Sequence, residues 1–300
     1  MISISIIIAT YNRGERLLRT LRSVVSQTLP AEEWEVVAVN NNSTDDTAEV
    51  FARFATEHPG FNLRMVFEPK QGLSHARNCG IAAARGEIIA IIDDDEEVNA
   101  EFAASYVDFF ARHPEVPMAG GGVVPVYETD RPRWMSRFTE RPIAGTLDLG
   151  PREKPFAKGY PAGGNMAVRR AAFERLGVFD TSLGRTGAAL IGGEEKELFM
   201  RVVADGGSAW WVPGAVINHI IPPSKLTSDY FRRLSRGVGA SERVRTRAIS
   251  RAAYVGAVVK EVAKWGATIA IALWFALSLC PSKALYLIIM RVGITAGLLR

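Results

Sequence analysis

The sequence of 300 residues contains only two cysteines, Cys79 and Cys280. They have neither the spacing of a metal-binding motif nor a disulfide framework, which indicates a reducing compartment. The N-terminus lacks a basic region followed by an apolar stretch and a cleavage site, so we expect no signal peptide. Neither an internal repeat nor a low-complexity tract is present. With 48% hydrophobic and 23% charged residues, the composition is that of a globular protein.

A glycine-rich dinucleotide motif is also missing. The loop after the first apolar segment, residues 10–14, reads TYNRG. It contains no Gly-x-Gly-x-x-Gly, and this disfavours a Rossmann-type dehydrogenase.

The charge is divided unequally along the chain. Residues 1–224 contain 23 Lys+Arg against 29 Asp+Glu, whereas residues 225–300 contain 13 against 3. Net charge governs association rather than fold, so an acidic body with a basic tail predicts that the tail lies on an anionic surface. We expect that surface to be a membrane, and we expect no nucleic-acid partner.

Apolar strand patterns alternate with amphipathic helix patterns over the first third of the chain. The expected strands are residues 3–9, 34–39, 63–67 and 88–92, and the expected helices are residues 15–25, 45–56 and 74–84. This alternation predicts an α/β fold with a mostly parallel sheet and right-handed crossovers. Residues 119–162 read as irregular connections around short strands. Order resumes with a strand at 166–168 and helices at 170–176 and 194–205.

The tail begins near Pro222 and has two apolar runs. Residues 265–280 carry no charge, but a helix of that length spans roughly 24 Å, less than the ~30 Å hydrocarbon core of a bilayer. Pro281 interrupts the pattern, and the second run, 284–299, contains Arg291. Basic flanks beside apolar runs favour an amphipathic or re-entrant membrane anchor. A hairpin of two short spans, and a soluble helical subdomain or dimer face, are the alternatives.

Five consecutive acids follow the most apolar predicted strand, at residues 93–97. In an open α/β sheet, ligands bind outside the carboxyl ends of the strands. Carboxylate oxygens there favour a hard divalent ion, Mg²⁺ or Mn²⁺, whose coordination is completed by substrate phosphates. The run therefore predicts a site for a nucleoside diphosphate, with a solvated acidic loop as the alternative.

Four segments, residues 5–13, 40–45, 72–95 and 192–198, together resemble the family 2 glycosyltransferases of GT-A fold. The resemblance covers residues 3–220. It implies a nucleotide-binding half at 1–118 and an acceptor-side half at 119–222, followed by a helical, membrane-associated tail at 223–300.

The resemblance also implies an activity. We expect an inverting, metal-dependent transferase that moves a sugar from a nucleoside diphosphate sugar to a hydroxyl of a lipid-linked or polysaccharide acceptor. The expected location is the cytoplasmic face of the cell membrane, with peripheral or monotopic attachment.

Donor-binding residues are implied by position in the family pattern: Thr10, Tyr11, Arg13, Asn40, Arg77, Asn78 and Asp93. Asn40 stands where the family commonly has an aspartate, which makes the choice of base less secure. The alternatives are a packing role for Tyr11 and a structural ion pair with the acidic run for Arg77.

Metal and catalytic roles follow from the same resemblance. Asp95 is expected to ligate Mn²⁺ or Mg²⁺, and His219 to complete the site. Glu195 is the expected general base, with Glu194 as its rival; an acidic first helical turn explains either residue equally well. On the acceptor side, Gly164 and Asn165 are expected to approach the sugar. Glu96 and Glu97 are expected at the surface or in support of the site.

Two other functions fit parts of the pattern. A nucleotidyltransferase acting on a sugar phosphate also uses strand-end aspartates and a divalent metal, but the loop at 10–14 is weak as its phosphate loop. A non-catalytic sugar-nucleotide-binding protein or membrane scaffold is the second alternative, and the departures at Asn40 and Glu195 favour it.

Overall fold

The computed structural model describes residues 2–187 and 190–300. It divides into two compact units. The first, here the sheet unit, comprises Met1–Val124, Leu147–Thr181 and Glu194–Ile220. The second, here the helical unit, comprises Pro125–Thr146, Ser182–Gly193 and Ile221–Arg300. The helical unit thus includes two segments that the sequence analysis placed before residue 222, and the domain boundaries expected there stay a prediction.

Strands and helices alternate through the first half of the chain, as the sequence predicts. The strands are β1 Ile4–Thr10, β2 Trp34–Asn40, β3 Leu63–Phe67, β4 Ile88–Asp93, β5 Glu96–Val98, β6 Met118–Tyr127, β7 Lys154–Pro155, β8 Met166–Arg169 and β9 Ala209–Ile221. The helices of the sheet unit are α1 Gly14–Val24, α2 Thr47–Glu57, α3 Leu73–Ala83, α4 Phe102–Arg112, α6 Arg170–Leu176 and α7 Glu194–Ala204. Those of the helical unit are α5 Arg137–Ala144, α8 Ser228–Ile249, α9 Arg251–Leu277 and α10 Pro281–Leu299.

Within the described residues the strand order is β3-β2-β1-β4-β8-β6-β9-β5, with β7 beside β9. β3, β2, β1 and β4 pair in parallel, which confirms the predicted α/β fold. β8 then pairs antiparallel with β4, and β5 antiparallel with β9, so the sheet is mixed. Every residue of β1 and β2 is buried, as expected where helices cover both faces of a parallel sheet.

The helices pack closely on this sheet. One core on the sheet includes Leu17, Phe51 and Phe102, and another includes Ile81 and Leu198. α3 approaches so closely that a Cβ added at Gly80 would lie 2.5 Å from Ile7 Cγ2. That close packing fixes the start of α3 beside the ends of the parallel strands.

The register of the parallel strands brings three loops together. Thr10 pairs with Asn40, and Ala9 pairs with Asp93. The carboxyl ends of β1, β2 and β4 therefore meet at one edge of the sheet. This is the edge at which the sequence predicts a ligand site.

The helical unit contains the predicted tail. α9 runs through most of the uncharged segment 265–280, and α10 begins at Pro281, where the sequence predicts a break. Among the described residues, only the helix Pro281–Leu299 is long and apolar enough to cross a membrane. Its most apolar 18 residues have a mean hydropathy of 1.5, and 28% of them are buried inside the protein. Length and composition of this kind also occur in core helices of soluble proteins.

Arg291, the charge inside the second apolar run, is paired. Its guanidinium donates to both carboxylate oxygens of Glu261 at 2.9 and 3.0 Å, and to Thr268 Oγ1 at 3.1 Å. Thr295 Oγ1 donates to Glu261 at 3.0 Å, and Glu261 is 4% exposed. A buried charge needs a partner, so this network explains how α10 tolerates an arginine against α9.

Candidate active site

The loop after β1 is tied to the acidic run through Asp94. Thr10 Oγ1 donates to Asp94 Oδ2 at 2.8 Å, and Arg13 Nη1 donates to Asp94 Oδ1 at 2.7 Å. Burial raises the pKa of Asp94 to about 6, with Arg13 opposing and Asp95 reinforcing the shift. The charge of Asp94 in turn raises the pKa of Arg13. Asp94 therefore holds Thr10 and Arg13 in place.

The loops after β1 and β2 are also joined by hydrogen bonds. Asn12 adopts a left-handed backbone, with φ of 52°, and its Oδ1 accepts from the Thr44 backbone N–H at 2.7 Å. Asn40 Oδ1 accepts from the Ser43 backbone N–H at 2.8 Å, so that oxygen is already engaged. Tyr11 is 41% exposed and is accessible to a ligand at the strand edge.

Asp95 and His219 lie together at the same edge. His219 Nε2 is 3.7 Å from Asp95 Oδ1, because β5 pairs with β9 and the Ile220 backbone N–H donates to the Asp95 carbonyl at 2.9 Å. Arg13 and Arg16 lie 3.6 and 3.7 Å from Asp95 Oδ2. A carboxylate and an imidazole thus converge next to two guanidinium groups.

These residues fit a divalent metal only when a substrate supplies further ligands. No group of three or more His, Cys, Asp or Glu side chains that could hold a metal occurs within residues 2–187 and 190–300. Asp95 and His219 offer one oxygen and one nitrogen donor, which suits Mn²⁺ or Mg²⁺ bound mainly by phosphate oxygens and water. The two arginines nearby suit the phosphates themselves.

Arg77 is buried at the base of the site. Its Nη2 donates to Asp93 Oδ1 at 2.8 Å and to the Gly163 carbonyl at 3.0 Å, and its Nη1 donates to Glu194 Oε1 at 2.8 Å. The residue is 1% exposed. Both terminal nitrogens therefore bond to the protein, which favours the alternative of a structural ion pair. The expected contact of Arg77 with diphosphate stays a prediction.

The two rival bases have different environments. Glu194 is 3% exposed and is held by Arg77, while its Oε2 lacks a hydrogen-bond partner. Glu195 is partly exposed at the first turn of α7. A Cβ added at Gly163 would lie 3.7 Å from the Glu195 carboxyl carbon, so Glu195 faces the turn expected on the acceptor side.

Glu96 is buried, which excludes the expected surface position and fits its alternative, a position in support of the site. It is 4% exposed, and its Oε2 accepts from the Asp93 backbone N–H at 2.8 Å. Burial and the nearby Asp93 charge raise its pKa well above the ordinary value. Gly164 packs directly on this carboxylate, which leaves no space for a Cβ. The absence of a side chain at Gly164 thus makes room for Glu96, and the expected approach of Gly164 to a sugar stays a prediction.

Asn165 and Asn78 also act inside the protein. Asn165 Nδ2 donates to the carbonyls of Gly122 and Ala215 at 2.8 and 3.0 Å, and its Oδ1 accepts from Tyr106 Oη at 2.6 Å. Asn78 exchanges two hydrogen bonds of 2.9 Å with the Phe179 backbone. These contacts engage both side chains with the scaffold, and the substrate-binding role expected of both stays a prediction.

Sequence reasoning missed two residues that support the site. Arg16 approaches Asp95, but on the polar face of α1 it reads as an ordinary surface charge. Tyr106 on α4 is 59 residues from Asn165 in sequence, and no local pattern predicts their hydrogen bond.

A mixed α/β sheet with acidic and basic side chains gathered where parallel strands end is typical of α/β proteins that bind a ligand at that edge, and its structural neighbours have the GT-A fold. The structure resembles the mannosyltransferase PcManGT from Pyrobaculum calidifontis, solved with GDP-Man and Mn²⁺, with a TM-score of 0.63 at 20% identity over 97% of this chain and 86% of that one. It also resembles GalNAc-T7, solved with UDP, GalNAc and Mn²⁺, with a TM-score of 0.59 at 19% identity over 84% of this chain and 51% of that one. At these identities the likeness shows the fold.

Residues 5–177 match the model of Glycosyl transferase family 2, and the chain belongs to that family. The protein is therefore a glycosyltransferase, as the resemblance implied.

Three curated relatives are 25–28% identical to this chain over the matched residues. The glycosyltransferase AglE of Haloferax volcanii is 28% identical over 54% of this chain, and the match spans 59% of AglE. The succinoglycan biosynthesis protein ExoM of Rhizobium meliloti is 28% identical over 75% of this chain and 69% of its own length. The glucosyl-dolichyl phosphate glucuronosyltransferase of Haloferax volcanii is 25% identical over 80% of this chain and 76% of its own length.

Proposed function

We propose that the protein is an inverting, metal-dependent glycosyltransferase. It transfers a sugar from a nucleoside diphosphate sugar to a hydroxyl of a lipid-linked or polysaccharide acceptor. The observation that carries the proposal is the pairing of Asp95 with His219 beside Arg13 and Arg16. This arrangement combines two metal donors with two phosphate-binding cations at the edge where α/β sheets bind nucleotides.

The donor is held by the loop after β1. Tyr11 is exposed for contact with the base, and Thr10 is fixed by Asp94. The Arg13 side chain is 43% exposed and has donors free to reach a phosphate, because only its Nη1 bonds to Asp94. Asp95 and His219 would hold a divalent ion, which would supply Lewis-acid stabilisation of the charge on the departing diphosphate. Neighbours crystallised with Mn²⁺ support this use of metal.

Glu195 is the proposed general base. A single displacement by a deprotonated hydroxyl inverts the anomeric centre, and the base must reach that hydroxyl within about 3 Å. Glu195 is partly exposed, whereas Glu194 is buried and bonded to Arg77. The role of Glu194 is then to hold Arg77 and Asp93 in place.

The proposed location of the protein is supported by the surface of the helical unit, and the proposed acceptor class is supported by the relatives. Exposed apolar residues recur on one side of α9, namely Val255, Val259, Val262, Ile269, Leu273 and Leu277. Residues 225–264 carry ten basic residues against three acids. Apolar and basic surface together favour peripheral or monotopic attachment to the cytoplasmic face of a membrane. Relatives named for dolichyl phosphate and for succinoglycan support lipid-linked and polysaccharide acceptors.

A thermal-shift panel of nucleoside diphosphate sugars, each with and without Mn²⁺, tests donor and metal together. A true donor raises the melting temperature only when Mn²⁺ is present, because binding to the folded state stabilises it. Asp95→Ala is expected to abolish that shift and the Mn²⁺-dependent turnover. Glu97→Gln is the matched control, since Glu97 belongs to the same acidic run but pairs with Arg19.

Undiminished Mn²⁺-dependent turnover in Asp95→Ala contradicts the metal assignment. Release of pyrophosphate on mixing a sugar phosphate with a nucleoside triphosphate would instead establish nucleotidyltransfer. Donor hydrolysis in the presence of Mn²⁺ argues against a non-catalytic binder.

A further inference from the structure

A cavity of about 300 Å³ lies in the helical unit, lined by one face of α8, the end of α10 and two residues before α7. Three small residues line it, Gly237, Ala240 and Gly297, here called the floor. At that point α8 and α10 touch through their backbones, since a Cβ added at Gly297 would lie 2.8 Å from the Ala240 backbone nitrogen. The small residues thus allow the two helices to meet beside the cavity.

Three arginines of α8 line this cavity: Arg233, Arg236 and Arg243. Arg233 pairs with Asp229 at 3.1 Å. Arg236 and Arg243 form no ion pair or side-chain hydrogen bond with any residue of 2–187 or 190–300. Positions 236, 240 and 243 share one helical face, so two uncompensated guanidinium groups flank the same small floor. Guanidinium is weakly hydrated and matches phosphate in a fork geometry.

Arg300 also lines the cavity, and the rest of the lining is apolar. Leu190 and Ile191 form part of the wall, and α10 is the apolar helix of mean hydropathy 1.5. A free phosphate gains nothing from such a wall, whereas a phosphate that carries a hydrocarbon chain buries its first carbons there. At the lower end of the range for ligand pockets, the volume suits a head group and the start of a chain rather than a whole lipid.

We propose that this cavity binds the phosphate-bearing head of an amphiphilic lipid. Arg236 and Arg243 contact the phosphate, and Leu190 and Ile191 contact the adjoining carbons. The proposal does not rest on the proposed catalytic function. The Asp95→Ala variant is accordingly expected to bind the probe as the wild type does.

Isothermal titration calorimetry of the full chain with decyl phosphate below its micellar concentration tests the proposal. Arg236→Ala combined with Arg243→Ala is expected to weaken binding by about tenfold or more, because two charge-assisted bonds are lost. Arg232→Ala is the matched control. It removes an exposed arginine of the same helix that does not line the cavity, and it is expected to change binding less than about twofold.

A second variant separates the site from general charge attraction. Ala240→Leu fills the floor without changing the charge and is expected to weaken decyl phosphate binding by a similar factor, with the melting temperature checked in parallel. Inorganic phosphate lacks the alkyl chain of the probe, and decyl glucoside has the chain but lacks the phosphate. Both are expected to bind at least tenfold more weakly than decyl phosphate.

Equal loss in the Arg232→Ala control would show nonspecific attraction and overturn the proposal. Equal affinity for inorganic phosphate would show a simple anion site, and equal affinity for decyl glucoside would show an apolar crevice. Either result would overturn it as well.

Discussion

Arg77 and Glu194 are 117 residues apart in sequence, and their side chains form a buried hydrogen-bonded ion pair of 2.8 Å. The same guanidinium reaches Asp93 at the end of β4. The first turn of α7 is thereby connected to the strand that precedes the proposed metal site. The position of Glu195, one residue further along α7, depends on this connection.

Arg77→Leu is expected to lower the free energy of unfolding by about 3–5 kcal/mol, because it leaves the buried Glu194 carboxylate without its partner. Urea denaturation at pH 7 measures the change. Arg16→Leu is the comparison, since its side chain is 30% exposed and lies 3.7 Å from its acid, and it is expected to lose less than about 1 kcal/mol. If Arg77→Leu kept full stability but lost donor binding, Arg77 would be assigned to diphosphate binding instead of a structural ion pair.

Glu195→Gln is expected to lower kcat by about a hundredfold or more with the donor affinity unchanged, because the base acts in the transition state rather than in donor binding. Steady-state kinetics with calorimetric donor binding measure both quantities. Glu197→Gln, on the same helix and paired with Arg201, serves as the control. A larger loss in Glu194→Gln, at unchanged stability, would move the role of base to Glu194.

The Glu261–Arg291 pair is expected to show strong coupling. Arg291→Leu alone leaves Glu261 buried without its arginine, which is expected to cost about 3–5 kcal/mol. Replacing both, as Glu261→Met with Arg291→Leu, is expected to recover most of that loss because no buried charge remains. Denaturation of the single and double variants completes the cycle. Additive losses would show that the two side chains do not act as a pair.

Glu35 is expected to make stability depend on pH. Burial alone would raise its pKa, but hydrogen bonds from Arg64, Ser5 and the Arg85 backbone N–H outweigh burial and lower the pKa below the ordinary 4.5. A lowered pKa in the folded state contributes stability that is full above 4.5 and is lost as the pH falls through the folded value. The destabilisation by Glu35→Gln should therefore be largest near neutral pH and shrink below pH 4.5.

Urea denaturation of the wild type and Glu35→Gln at several pH values from neutral to acid gives this dependence. Glu57→Gln, in the exposed last turn of α2, is the control and should shift stability little at any pH. A destabilisation by Glu35→Gln that does not vary with pH would contradict the lowered pKa.

The sequence determined the parallel half of the sheet and the edge where the site lies. Apolar runs such as Ile88–Ile92 are long enough to specify buried strands, and alternation with helices specifies their parallel order. The acids that follow Ile92 then had to lie at a strand end. The break at Pro281 was equally readable, since proline begins a new helix and ends the preceding pattern.

Only the tertiary structure decided which polar residues are available to a ligand. Asn78, Arg77 and Asn165 stand at the expected positions, but distant backbone carbonyls and carboxylates occupy their polar groups. Sequence shows that a side chain can donate or accept, whereas burial and long-range partners decide whether it still has a bond to offer. The cavity lined by Arg236 and Arg243 depends in the same way on contact between α8 and α10, which no local pattern encodes.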